Sequence, residues 1–263
     1  MVLVNGVFTD SVKANDRGLM YGDGIFRTLR IERGTPKHWD RHYLKLNRDC
    51  AALGIACPSA ALLANELNLA AEKSPDCVAK IVVTRGPGER GFLPEAAIEP
   101  TRIILTSPMP DRVKHGEIRA HLCKLRLSRQ PALAGIKHLN RLENILARME
   151  WRDPDIAEGI LLDAEGNVIE GTMSSLFLYR EGVLVAPDLS LCGVDGVQRE
   201  RVLEYACEKN IPVEIKPFGI DFLEQAEEVF LVNSVIGLWQ VVSLENSSWK
   251  KGAFCEALRS WLQ

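Results

Sequence analysis

The 263-residue sequence lacks most of the features that would assign it to a specialised class. It has no C-x-x-C pair. Its seven cysteines, an odd number, are scattered, which argues against a disulfide scaffold or a zinc ribbon and for a reducing compartment. No metal is expected. An excess of positive charge is also missing: the formal net charge is −3, so there is no electrostatic footprint for nucleic acid or an anionic membrane. No apolar run approaches the length of a membrane-spanning helix. The opening MVLVNGVFTD has neither a basic segment nor a long apolar core, so no signal peptide is expected and the cytoplasm is the expected location. Internal repeats and low-complexity tracts are absent as well.

What remains is an ordinary globular composition, 46% hydrophobic and 25% charged, long enough for one large domain or two small ones. Pro108-Met109-Pro110-Asp111 is the best linker, giving an N-terminal α/β domain over 1–108, a linker over 109–118 and a C-terminal domain over 119–263. Asn5-Gly6 between Val2–Val4 and Val7–Phe8 predicts a hairpin. Strands are expected over 25–31, 77–84, 101–107, 117–123 and 211–217. Trp39, Tyr43, Leu46, Cys50 and Leu53 make a helical stripe, a second helix starts near Pro58-Ser59, and 252–262 closes the chain as an amphipathic helix. Strands and helices alternate too irregularly for a doubly wound sheet, so the expected class is mixed α/β (α+β).

Gly86-Pro87-Gly88-Glu89-Arg90-Gly91 formally matches G-x-G-x-x-G, but proline sits inside it and no helix follows, so it is rejected as a dinucleotide fingerprint. It reads better as a glycine-rich loop whose Arg85 and Arg90 suit carboxylate recognition.

The chemistry centres on Ala134–Arg148, AGIKHLNRLENILAR. A small, apolar run delivers Lys137 just before a helix start, with Asn140 as N-cap and Glu143 as its capping-box partner. Leu139, Leu142, Ile145, Leu146 and Met149 then repeat at helical spacing, predicting one core face for a helix that ends at Asp153-Pro154. An amine at a rigid junction among apolar neighbours can be desolvated and made nucleophilic, which a Schiff-base lysine needs. The alternative is a surface lysine at a strand end. Further on, two glycines in Leu191–Arg199 precede a helix, and backbone N–H groups at such a start attract phosphate.

Four ordered stretches, DRG…YGDG, GIKHLNR, VIEG and GVDGV, resemble the fold-type IV pyridoxal-phosphate (PLP) enzymes, and GIKHLNRLE is similar to the aminodeoxychorismate lyase branch of that family. The resemblance implies a two-domain, D-amino-acid aminotransferase-like fold, a homodimer with its active site between the domains, PLP as cofactor and a small-molecule substrate. It makes Lys137 the PLP lysine and Glu170 the partner of the pyridine nitrogen. Lys45 stands in His42-Tyr43-Leu44-Lys45 where the family's His-x-x-Arg has its phosphate arginine. Val197 and Gln198 become backbone phosphate donors, and Ser234 donates a hydroxyl. Asn140 and Arg141 count among the cofactor contacts. Thr28 is the catalytic hydroxyl, with Phe26, Arg85 and Arg90 toward substrate. Two departures are noted: Arg27 stands where transaminase relatives commonly have Glu, and Ser175 where many have Asn. The implied reaction converts 4-amino-4-deoxychorismate to 4-aminobenzoate and pyruvate in folate synthesis. Transamination of D-amino or branched-chain amino acids is the alternative within the fold, and a non-catalytic PLP-binding protein the alternative outside it.

Overall fold

The structure, a computed structural model, describes residues 1–110 and 116–263. The expected linker at 109–118 therefore falls partly outside the described residues. The chain divides into two compact units, each taken by itself below.

The first unit comprises Met1–Pro110 and Ile136–Asn140. Its strands are β1 (Val2–Val4), β2 (Val7–Phe8), β3 (Gly24–Glu32), β4 (Thr35–Pro36), β5 (Cys77–Thr84) and β6 (Thr101–Ser107). They form one antiparallel sheet in the order β2-β1-β6-β5-β3-β4. Asn5 and Gly6 both take positive φ, 52° and 80°, the geometry that closes the expected two-residue hairpin. A helical turn, α1 (Arg17–Tyr21), lies between β2 and β3; Asp16 caps its start and Gly22, at φ 67°, ends it. Helices α2 (Trp39–Ala52) and α3 (Ala60–Ala71) follow. Alternation along β3 puts Leu29 and Ile31 into a core shared with Leu46 and Cys50 of α2 and Leu63 and Leu67 of α3. Phe26, Thr28 and Arg30 alternate onto the opposite face and are half-buried.

The second unit runs through Gly135 and resumes from Arg141 to Gln263. Its strands are β7 (Glu117–Leu127), β8 (Ile156–Asp163), β9 (Val168–Gly171), β10 (Ser175–Arg180), β11 (Val183–Pro187), β12 (Val213–Lys216), β13 (Glu228–Asn233), β14 (Gly237–Leu244) and β15 (Ser247–Ser248). Its helices are α4 (Leu142–Arg148), α5 (Val197–Glu208), α6 (Ile220–Glu224) and α7 (Ala253–Leu262). β9 pairs with both β8 and β10, so β10-β13-β14-β7-β8-β9 closes on itself as a barrel. All six of these strands contribute to one apolar core, including Ile118, Ile160, Val168, Leu176, Leu231 and Trp239. The alternate residues Phe177, Phe230 and Val232 pack outward against Val202 of α5 and Phe254 and Leu258 of α7. Among the described residues no helix is long and apolar enough to cross a membrane.

Two expectations fail around the lysine segment. Ile136–Asn140, assigned to the C-terminal domain from sequence, belongs to the first unit, because its backbone adds onto the start of β3. The helix that follows is short, starts at Leu142 and is capped by Arg141, not Asn140. Asn140 instead donates its amide to Gly22 O at 3.3 Å, and the Glu143 carboxylate accepts from Ser128 N–H at 2.9 Å, so no capping box forms. The stripe read as core is also mostly exposed: Leu142 is 73% accessible and Ile145, Leu146 and Met149 more than half so, leaving Ala147 as the buried residue of α4. Periodicity identified an apolar face correctly. It could not say what covers it.

Candidate active site

In the first unit, backbone bonds place Lys137 before its side chain comes into play. Its carbonyl accepts from Phe26 N–H at 3.0 Å, Leu139 N–H donates to Gly24 O at 2.9 Å, and His138 bridges Ile25. The Lys137 N–H donates to Asp49 Oδ2 at 3.0 Å. Asp49 is completely buried on α2, where it forms an ion pair with buried Arg27 of β3 and accepts from Arg48 at 3.1–3.2 Å. Such a pair is worth little against an apolar substitute but fixes geometry, since removing one partner strands the other's charge. Arg27, the departure from the transaminase pattern, therefore anchors the carboxylate that holds the lysine backbone.

The half-buried Lys137 side chain reaches back over β3, with Nζ 4.7 Å from the centroid of the Phe26 ring. Thr28 lies two residues along the same strand face. On α2, Lys45 is 6% accessible, so it is no solvated helix residue; it shares the buried face with His42, Leu46 and Asp49. Neither ring nitrogen of His42 has a hydrogen-bond partner among the described residues. Burial and the neighbouring charges of Arg27, His38, Lys137 and Lys45 pull its pKa down to about 3, so the ring is neutral near pH 7.

The arginines of the glycine-rich loop have different fates. Arg85 is engaged within the chain: its guanidinium grips Asp23 at 2.7 and 3.0 Å and the carbonyls of Leu53 and Gly54 at 2.7 Å, tying the loop to the end of α2. Burial works against charge on Asp23, but Arg85 and Arg17 hold its carboxyl below the usual range. Arg17 also donates to Gly91 O and Phe92 O at 2.8 and 2.9 Å, fixing the far side of the loop. Arg90 is exposed and remains available to a ligand.

The second unit builds its polar end from neutral donors. Glu170, 5% accessible at the end of β9, pairs in register with Ser175 of β10, which in turn pairs with Val232 of β13. Val194 N–H donates to Glu170 Oε2 at 2.9 Å. Gly193 takes φ 87°, and a Cβ there would meet Ile169 and Leu189 at 2.7–2.8 Å, so only glycine lets this turn approach β9. Gly196 caps α5 without any side-chain bond, leaving the first-turn N–H groups of Val197 and Gln198 without helical acceptors. A Cβ on Gly196 would stand 3.2 Å from Ser175 Oγ, so glycine keeps that hydroxyl beside the turn. Ser234 lies in the turn after β13, which Asn233 pins by accepting from Val235 and Ile236 N–H and donating to Met173 O. Beneath this end lies Glu158, fully buried. Its carboxylate accepts from Gly159 and Thr172 N–H at 2.9 and 3.1 Å, from Ser174 Oγ at 2.9 Å, and from the Thr172 hydroxyl. Burial raises its pKa against the pull of these bonds.

A model of the amino-transferase class IV family matches residues 24–244. The chain belongs to this family. Aminodeoxychorismate lyase of Vibrio harveyi is 33% identical over 241 residues, 90% of this chain and 89% of the relative. The crystal structure of 4-amino-4-deoxychorismate lyase from Pseudomonas aeruginosa superposes with a TM-score of 0.94 at 43% identity, covering 100% of this chain and 98% of that one. A putative branched-chain-amino-acid aminotransferase of Methanocaldococcus jannaschii is 29% identical over 253 residues, 93% of this chain and 88% of its own. The expected two-domain, D-amino-acid aminotransferase-like α/β fold of type IV is therefore the fold of this class IV chain, and the family is PLP-dependent.

Sequence reasoning missed Asp49, Glu158 and Lys80, whose Nζ lies 4.7 Å from the Phe26 ring centroid. Each had a signal. Asp49 falls three residues after Leu46 on an otherwise apolar helical stripe, Lys80 is the lone charge in CVAKIVVT, and Glu158 shares with Ile160 and Leu162 the face of β8 that lines the core.

Proposed function

We propose that this class IV chain is a PLP-dependent lyase that converts 4-amino-4-deoxychorismate to 4-aminobenzoate and pyruvate. The observation that carries the reading is similarity over essentially the whole chain to lyases of that name, together with the lysine segment GIKHLNRLE.

The residues fit the cofactor. Lys137 presents a half-buried amine, Glu170 a carboxylate with one oxygen fixed by Val194, and the first turn of α5 a set of backbone donors beside Ser175. Val197, Gln198, Ser234 and Lys45 would hold the phosphate, with Asn140 placed by Gly22 and Arg141 at the start of α4 flanking the lysine. PLP, when bound, would supply an electron sink for the substrate carbanion. Glu170 holds the proton on the pyridine nitrogen. The Lys137 amine removes the proton from C4 of the substrate and returns one to the departing enolpyruvyl group, which leaves as pyruvate. Thr28, on the same strand face as Phe26, supplies a hydroxyl to that transfer, Phe26 lines the substrate ring, and Arg90 attracts a substrate carboxylate. Aromatisation drives the step.

The reading includes a homodimer, supported by the uncovered apolar stripe of α4. A cytoplasmic setting fits the seven unbridged cysteines. Transamination of D-amino or branched-chain amino acids is the second reading, favoured by the 29% identity to an aminotransferase. The deciding assay uses PLP-loaded protein and substrate made in situ without any keto acid. Equal amounts of pyruvate and 4-aminobenzoate are expected. Turnover only with D-alanine or L-leucine and 2-oxoglutarate would leave the family assignment standing and overturn the lyase.

A further inference from the structure

Two of the seven thiols meet in the first unit, at the end of the helix that carries Asp49. Cys50 lies in the last turn of α2, completely buried in the core formed with Leu46, Leu63 and Leu67. The chain then doubles back. Gly54 takes φ 62°, and Ile55 N–H donates to Cys50 O at 2.8 Å, which returns the connection over the turn it has just left. Two residues on, Cys57 is half-buried and packs against the same core. Its thiol donates to Pro58 O at 3.5 Å, and the hydroxyl of Tyr43, two turns before Cys50 on α2, donates to the same carbonyl at 3.2 Å. The thiols of Cys50 and Cys57 hydrogen-bond to each other.

The two sulfurs are unequal. Hydrogen bonds from the Cys50 thiol and the Tyr43 hydroxyl hold Cys57 below the ordinary thiol value against the cost of burial. The same thiol–thiol bond, together with burial, pushes Cys50 up. A partly exposed thiol that ionises readily, beside a protonated one, is the arrangement of an attacking and a resolving cysteine. The more deeply placed thiols are poorer nucleophiles: burial pushes Cys123 up to about 12 and Cys192 up to about 11.

The pair also sits among contacts that hold the lysine segment. Asp49, next to Cys50, accepts the Lys137 N–H at 3.0 Å, and Leu53 and Gly54, between the two cysteines, give their carbonyls to Arg85. We propose that Cys50 and Cys57 form a reversible thiol–disulfide switch, closed by hydrogen peroxide, that loosens the grip of Asp49 on the Lys137 backbone. The Cys57 thiolate attacks one peroxide oxygen, the O–O bond breaks, and the other oxygen takes up a proton and leaves as water. The Cys50 thiol then displaces the hydroxyl of the Cys57 sulfenic acid, which departs with the Cys50 proton as a second water. The two sulfurs lose two electrons and the peroxide gains them. A dithiol reopens the bond by exchange. The switch stands on the thiol pair and requires no particular reaction at Lys137.

The test uses full-length, PLP-loaded protein in which the exposed Cys207 is changed to Ser. After hydrogen peroxide the protein is digested without reductant and mapped by mass spectrometry. A Cys50–Cys57 link that dithiothreitol removes is expected, absent from both Cys57→Ser and Cys50→Ala. Hydrogen exchange reads the consequence. In the oxidised protein the Lys137 amide should exchange roughly tenfold faster, the scale of one weakened hydrogen bond, and recover on reduction. Cys57→Ser given the same peroxide should keep its starting rate, which separates the link from general oxidative damage. A link between any other pair, Cys57 carried to sulfinic acid while Cys50 stays reduced, or a Cys50–Cys57 link that leaves the Lys137 amide unchanged overturns the proposal.

Discussion

The two units hold their functional groups by opposite means. Around Lys137 the first unit uses full charges drawn from distant parts of the chain: Arg27 of β3, Asp49 of α2 and the 136–140 segment meet over sequence separations of 22 and 88 residues. Around Glu158 and Glu170 the second unit uses neutral donors: the Thr172–Ser174 loop meets Glu158 over separations of 14 and 16 residues, and the Gly193–Gly196 turn meets Glu170 over 24. A charged lattice fixes a backbone strongly but fails abruptly when one member is lost. A web of N–H and O–H donors shares its load.

Breaking the charged lattice should have the largest effect. Asp49→Ala leaves Arg27 buried without its counter-ion and is expected to lower stability by about 3–5 kcal/mol in urea unfolding. Next comes His42, whose neutral form the fold favours. Its pKa is about 3 in the folded state against an ordinary 6.5, so below pH 6.5 the unfolded chain takes up a proton that the folded chain refuses. Stability contributed by the neutral ring is complete above that pH and falls by up to about 1.4 kcal/mol per unit as the pH drops toward 3. His42→Leu should flatten this acid limb, which a urea series from pH 7 to pH 4 would reveal.

The neutral web should yield less. Glu158→Gln has no stranded cation to expose and retains an acceptor oxygen, so a loss of about 1–3 kcal/mol is expected. A loss as large as that of Asp49→Ala would erase the contrast between the units. Smallest in stability is Arg90→Gln, expected within about 0.5 kcal/mol of wild type because the side chain is exposed. If Arg90 meets a substrate carboxylate, the same variant should raise KM roughly tenfold with kcat little changed. Arg85→Gln should do the reverse, costing stability through Asp23 and the end of α2.

The same contrast explains what could be read in advance. Glu170, Gly193 and Gly196 announce themselves because they stand in short recognisable stretches, VIEG and GVDGV, and glycine has a local reason to be where it is, even though the Val194 N–H that meets Glu170 lies 24 residues along the chain. The strands of the first unit were the more legible, 77–84 and 101–107 to the residue, because alternation and turn residues act locally, while in the second unit 117–123 and 211–217 found β7 and β12 with displaced ends. Asp49 and Lys80 were not, since their significance depends on which strand lies beside which helix or strand. Arg85 shows a related limit: an arginine on a glycine-rich loop looks wholly available until the end of α2 is seen to hold it. The α4 stripe failed differently. Helical spacing marks an apolar face, while its cover is set by tertiary or quaternary packing.

The central claim, that the chemistry is arranged around Lys137, is tested most directly by trapping. The PLP-loaded protein would be reduced with borohydride, digested and mapped by mass spectrometry. The account predicts a pyridoxyl group on Lys137 alone. A label on Lys80, which shares the Phe26 ring, on Lys45, or on no lysine at all would contradict it.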